Sequence, residues 1–210
     1  MLTLYYFPGA CSTACHIALE ETGAPYETKP ISIPDGEHKK ESYLAINPKG
    51  QVPALQVGNR VIAESVAILV FLSRRYPEAK LLPGDDVADA RCLATLAWVS
   101  SQVDPLFRRA ARPERFVNDA AAQADVQDAA REAYWSKCEE IDRALIGNQW
   151  LAGDQYTCCD PYALVYYGWG ARLKLPLSEL AHFTAWKNRM LKRPAVQKIL
   201  ALEKSPMIRQ

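Results

Sequence analysis

Apolar and polar positions change their spacing along this chain, and the changes mark its elements. Residues 2–7, LTLYYF, form an apolar and aromatic run ended by Pro8-Gly9, which predicts a first strand. Residues 12–22 are helix formers closed by Gly23, a residue suited to the left-handed conformation past a helix end. Residues 26–33 alternate around Tyr26, Thr28, Ile31 and Ile33 as a strand does, and Pro30 makes it an edge or irregular one. Residues 37–45 read as a short polar helix. The runs VPALQV and RVIA are joined by Gly58-Asn59, the kind of two-residue link that closes a tight hairpin. From Glu64 the period lengthens, and Val66, Ile68, Leu69 and Leu72 mark an amphipathic helix up to Arg75. The resulting order is β-α-β-α-β-β-α.

Residues 77–86, PEAKLLPGDD, hold two prolines, one glycine and three acids, and predict a linker between a domain over 1–76 and a second over 87–210. Everything after the linker reads as helix. Residues 87–110 and 117–146 are long and alanine-rich, parted near Arg112-Pro113. Thr157-x-x-Asp160 resembles a capping box opening a helix over 158–173, and helices near 178–191 and 194–203 are parted by Arg193-Pro194. The fold class is α/β followed by an all-α helical bundle.

With 210 residues, 49% of them hydrophobic, the chain can bury a real core as one large or two small domains. Its 25 Lys+Arg against 24 Asp+Glu give no reason to expect nucleic acid or an anionic membrane as partner. No apolar run nears the roughly 20 residues that span a bilayer. The N-terminus has no basic segment before its apolar stretch and reads as a strand, not a signal peptide, so a cytoplasmic protein is expected. Six cysteines, at 11, 15, 92, 138, 158 and 159, sit in a chain too long and too ordinary for a disulfide scaffold. All but Cys11 read as small buried hydrophobes. His16, His38 and His182 fall in no Cys/His spacing typical of zinc, so no metal is expected.

Cys11 follows a strand and a Pro-Gly turn and opens a helix, where unpaired N–H groups and the helix dipole favour an anion. A thiol so placed has its pKa lowered from about 8.5 towards neutrality, although a buried packing cysteine fits the same position. Ser12 and Thr13 add hydroxyls beside it. In Asn47-Pro48-Lys49-Gly50-Gln51-Val52-Pro53, Pro53 cannot donate to a strand ladder. A cis Val52–Pro53 bond would turn the Val52 peptide outward to pair with an extended peptide ligand. Glu64-Ser65 stands at a helix N-terminus, a ready carboxylate site as well as a plain cap. Together the three segments suit a small peptide with a thiol, a backbone and an amino-acid end, all of which γ-Glu-Cys-Gly has.

With YYFPGACSTACHIALEE (5–21), INPKGQVPAL (46–55), ESVAIL (64–69) and WLAGDQYTCCDPY (150–162) in this order, the sequence resembles the cytosolic glutathione S-transferases, and among them the bacterial beta-type class. The resemblance covers nearly the whole chain. It implies a thioredoxin-like first domain that binds glutathione as co-substrate, and a helical domain lining the electrophile site. Cys11 matches the cysteine that faces the glutathione sulfur, Val52 the residue whose backbone pairs with the ligand's cysteine, and Pro53 the cis-proline, with Gln51 counted beside them as glutathione-binding. Glu64 and Ser65 match the pair that grips the γ-glutamyl end. Thr157 and Asp160 match a structural capping motif. The family is usually homodimeric. One departure matters: the beta-type histidine near the sulfur aligns with Asp104, and no histidine lies in 87–117. Ser100, Ser101, Gln102, Asp104 and Arg108 are the polar groups there. Tyr5 and Tyr6 end the first strand, where other classes place a catalytic tyrosine; both read as core, with Tyr5 and Ser12 kept as alternatives for activating the thiol.

The expected activity is conjugation of the glutathione thiolate, activated beside Cys11 and Ser12, to small hydrophobic electrophiles. Trp98, Phe107, Tyr162, Tyr166 and Trp169 are candidates for the electrophile's apolar surroundings as well as for the core. Two other functions fit: a glutathione-dependent thiol–disulfide oxidoreductase with Cys11 as nucleophile, and a non-catalytic glutathione-binding module.

Overall fold

Every position of strand β1, Leu2–Tyr6, is buried, as befits a strand with neighbours on both edges and covering layers on both faces. In the computed structural model, which describes residues 1–205 and 207, β1 pairs in parallel with β2, Tyr26–Pro30, in the register Leu2↔Tyr26 to Tyr6↔Pro30. On its other side it pairs antiparallel with β3, Ala54–Val57, which forms a hairpin with β4, Arg60–Ala63. The sheet order is β2-β1-β3-β4. The parallel pair is bridged by helix α1, Ser12–Glu21, and the hairpin leads into α3, Ser65–Arg75. This is the thioredoxin-like arrangement.

Two local expectations change. The strand expected over 26–33 stops at Pro30, where the ladder's donor is lost; Ile31 and Ile33 leave it to pack against Tyr5, Tyr43, Val52 and Ala54. The helix expected over 37–45 is a 3₁₀ turn at Glu37–Lys39 and a single turn α2, Glu41–Leu44, parted by an extended Lys40.

The chain divides into two compact units: Met1–Gly84 with the described residues from Leu191 onward, and Asp85–Met190. The last stretch, read from the sequence as part of the helical domain, therefore groups with the front half. Its helix α9, Pro194–Leu202, packs on α1. Arg193 grips Glu21 through two hydrogen bonds of 2.8 and 3.0 Å, and Lys198 reaches Glu20 at 2.7 Å.

The second unit is helical. Asp85 caps α4, Asp86–Trp98, by accepting from the N–H groups of Val87 and Ala88. The single helix expected over 87–110 is broken by a π-helical turn at Val99–Val103 before α5, Asp104–Ala111. Pro105 supplies the reason: it has no N–H for the carbonyl four residues back, and its ring crowds that carbonyl. Helices α6, Ala120–Ala144, α7, Cys159–Arg172, and α8, Ala181–Met190, complete the unit. Phe107 stacks on Trp169 with centroids 4.2 Å apart, Tyr166 meets Trp169 edge-on, and Tyr162 leans on Tyr166. All four are buried, so they make the core of this unit. Among the described residues, no helix is long and apolar enough to cross a membrane.

Candidate functional site

The turn after β1 is closed by Ser12. Its Oγ donates to the carbonyl of Phe7 at 3.0 Å and accepts from the N–H of Phe7 at 3.1 Å. Ser12 is completely buried. The hydroxyl expected beside the thiol thus closes the loop through the backbone of Phe7. Closure of the loop leaves Cys11 at the N-cap of α1, partly exposed, its side chain making no cap hydrogen bond. The Cys11 thiol instead donates to the carbonyl of Val52 at 3.5 Å.

A carboxylate from the far end of the chain fixes this loop. Glu203 Oε2 accepts from the Gly9 N–H at 3.1 Å and from Thr13 Oγ1 at 2.6 Å, while Oε1 lies 2.8 Å from Nδ1 of His16. Gly9 and Thr13 flank Cys11 on either side, so one buried group sets both approaches to the thiol. Sequence reasoning missed it, because nothing local marks a glutamate just past the last helix.

The Val52 segment is tied down as firmly. Tyr43 Oη and Asn47 Nδ2 each donate to the carbonyl of Gln51 at 2.7 Å. Burial pushes the Tyr43 hydroxyl up to about 12, so it remains a donor at neutral pH. Gly50 has φ +59°, and a Cβ there would stand 2.8 Å from the His38 carbonyl, so only glycine fits. The Val52–Pro53 peptide is cis. Since β3 begins at Ala54, Val52 lies outside the ladder. Gln51 is exposed.

Glu64 adopts φ 74°, unusual for a residue with a side chain, and precedes Ser65 at the start of α3. Its carboxylate takes a hydrogen bond of 2.7 Å from Lys49 Nζ, both side chains being about 60% exposed, at 61% and 60%. Cys15, fully buried, donates to the Ser65 carbonyl at 3.7 Å and so ties α1 to the start of α3. Cys11, Val52, Glu64 and Ser65 are thus brought together through α1 and the 47–53 turn. Tyr5 is not among them: it is buried, and its hydroxyl donates to Gln56 Oε1 within the sheet.

In the helical unit, Asp104 is buried and pairs with the half-exposed Arg108 one turn on, while Ser101 is exposed on the π-helical turn. Among the described residues, no group of three or more His, Cys, Asp or Glu is arranged to hold a metal ion.

Residues 1–74 match the family model of the glutathione S-transferase N-terminal domain, and residues 90–194 that of the C-terminal domain. The chain is 31% identical over 209 residues to glutathione S-transferase GstA of Escherichia coli O157:H7, covering 96% of this chain and 98% of that protein. A glutathione transferase homologue from Sulfitobacter, solved with bound glutathione, superposes with a TM-score of 0.91 at 27% identity, over 96% of this chain and 98% of that one. The beta class glutathione S-transferase of Sphingomonas chungbukensis gives 0.85 at 29% identity, over 96% and 98%.

Proposed function

The chain belongs to the glutathione S-transferase family, and on that premise we propose that its front unit binds glutathione at Cys11, Gln51, Val52, Pro53, Glu64 and Ser65 and joins the ligand's thiolate to small hydrophobic electrophiles. One observation carries the assignment of the site: the Cys11 thiol, at the N-terminus of α1, donates to the backbone carbonyl of Val52.

That hydrogen bond states the work of each residue. An extended ligand pairing with Val52 puts its own N–H on the Val52 carbonyl. The Cys11 S–H then turns to the ligand's sulfur. A hydrogen bond to a thiolate favours the charged form, and the positive end of α1 adds to it. The proton lost by glutathione goes to solvent, and the thiolate is left as nucleophile. At the other end, the ligand's ammonium takes the place of Lys49 Nζ on Glu64, and its α-carboxylate meets the first N–H groups of α3 beside Ser65.

Asp104, Arg108 and Ser101, the polar residues that the resemblance offers in place of the beta-type histidine, lie in the helical unit, where the buried Asp104 pairs with the half-exposed Arg108. Family membership supports a homodimer working in the cytoplasm. The assay is conjugation of glutathione to an activated aryl halide and a panel of other electrophiles: turnover is expected, and inertness towards all of them would sink the proposal.

A second reading rests on the exposure of Cys11. The Cys11 thiolate attacks the glutathione sulfur of a mixed disulfide, forms Cys11–S–S–glutathione and releases the other thiolate. A second glutathione thiolate then attacks the bound glutathione sulfur, forming glutathione disulfide and returning Cys11.

A further inference from the structure

Three cysteines that the sequence presents as packing residues meet at one point inside the helical unit. Cys92 lies on α4, and Cys158 and Cys159 stand at the N-terminus of α7. All three are buried, at 0, 0 and 1% exposure. Cys92 Sγ is 3.1 Å from Cys159 Sγ and 3.9 Å from Cys158 Sγ. Cys159 Sγ also lies 3.2 Å from the Cys92 carbonyl. None of the three is in a disulfide.

We propose that Cys92 and Cys159 are a redox pair that a small hydroperoxide converts to a disulfide, stapling α4 to the start of α7. The 3.1 Å separation is about 1 Å longer than a disulfide bond of about 2.05 Å, so closure needs side-chain rotation and a small approach of two helices already packed together. The chemistry has a defined order. Thiols of Cys158 and Cys159 both point at Cys92 and hold it below the usual cysteine range, whereas Cys159, hydrogen-bonded to Cys158 and Cys92 and desolvated, is held above it. Cys92, the sulfur within reach of both other thiols, is the one that attacks.

In the first step the Cys92 thiolate attacks the peroxide, forming an S–O bond and breaking the O–O bond; the departing alkoxide or hydroxide takes a proton. In the second the Cys159 sulfur attacks Cys92, the S–S bond forms, and the sulfenic oxygen leaves with the Cys159 proton as water. Two thiols and one hydroperoxide give one disulfide, one alcohol (or water) and one water. Burial limits the oxidant to one as small as hydrogen peroxide, which enters on local opening of the helices.

The test treats the full chain with hydrogen peroxide, blocks the remaining thiols under denaturing conditions, and maps crosslinks in a non-reducing digest by mass spectrometry. The expected result is a Cys92–Cys159 crosslink, two fewer alkylated thiols, a thermal midpoint raised by several degrees and reversal by dithiothreitol. The same crosslink is expected in Cys11→Ala. Oxidation confined to Cys11, a crosslink within Cys158–Cys159 or between Cys92 and Cys158, or loss of the crosslink in Cys11→Ala would overturn the proposal.

Discussion

Glu203 Oε1 lies 2.8 Å from Nδ1 of His16, with both side chains fully buried and 187 residues apart in sequence. The same carboxylate holds Gly9 and Thr13 on either side of Cys11. Glu203→Ala leaves a buried histidine, a hydroxyl and a backbone N–H without their partner, at an expected cost of about 3–5 kcal/mol. The prediction is a thermal midpoint lower by roughly 10 °C and glutathione binding weakened several-fold, measured by calorimetry and titration. An unchanged midpoint would show that the clamp contributes nothing.

Cys11 is expected to act as a donor to the ligand's sulfur. Cys11→Ala removes a hydrogen bond to a charged group, of about 1.5–3 kcal/mol, so conjugation at neutral pH falls by roughly tenfold or more. The pH–rate profile moves to higher pH, because the bound thiol ionises less readily. Disulfide reductase activity, if present in the parent, disappears. A variant with an unshifted profile would place thiol activation elsewhere.

How much of this is readable in one dimension depends on whether the determinant is local. β1, the Gly58-Asn59 hairpin and α3 follow from alternation and turn residues a few positions apart. The π-helical turn at Val99–Val103 does not, because the alanine-rich pattern runs through it and only Pro105 hints at the break. Cys11, Val52 and Glu64 stood out by position, being set at helix and strand starts. For Ser12 the sequence leaves open whether the hydroxyl faces the ligand or Phe7, and its hydrogen bonds close on Phe7. Glu203 and the thiol cluster at Cys92 depend on residues brought together across 190 and 67 positions.

Lys49 sits on Glu64 as a counter-ion. Exposed pairs of this kind are worth about 0–1 kcal/mol, so Lys49→Met is expected to tighten glutathione binding by about two- to fivefold. The gain shrinks as salt rises, because screening weakens the competing pair in the parent. Weaker binding in the variant would mean that Lys49 holds the ligand.

Asp160 gives the helical unit a pH signature. It accepts hydrogen bonds from the Thr157 and Leu151 N–H groups and from Trp186 Nε1. Desolvation by complete burial dominates, and raises its carboxyl to about 6. The unfolded value is about 3.9, so between about pH 4 and pH 6 the folded state binds more protons than the unfolded one. This group therefore stabilises the fold at acid pH, and that contribution is lost as pH rises through about 6. Compared with Asp160→Asn in urea denaturation, the parent is expected to lose about 2 kcal/mol of relative stability between roughly pH 4.5 and pH 7.5. Parallel pH curves for the two proteins would refute the assignment.

Crystals soaked with glutathione test the front site most directly, through the atom found nearest the ligand's sulfur. The expected structure has that sulfur at hydrogen-bonding distance from Cys11 Sγ, the ligand's backbone paired with Val52, and its ammonium on Glu64 with Lys49 displaced. Glutathione bound away from α1, or a ligand sulfur whose nearest donor belongs to another residue, would contradict it.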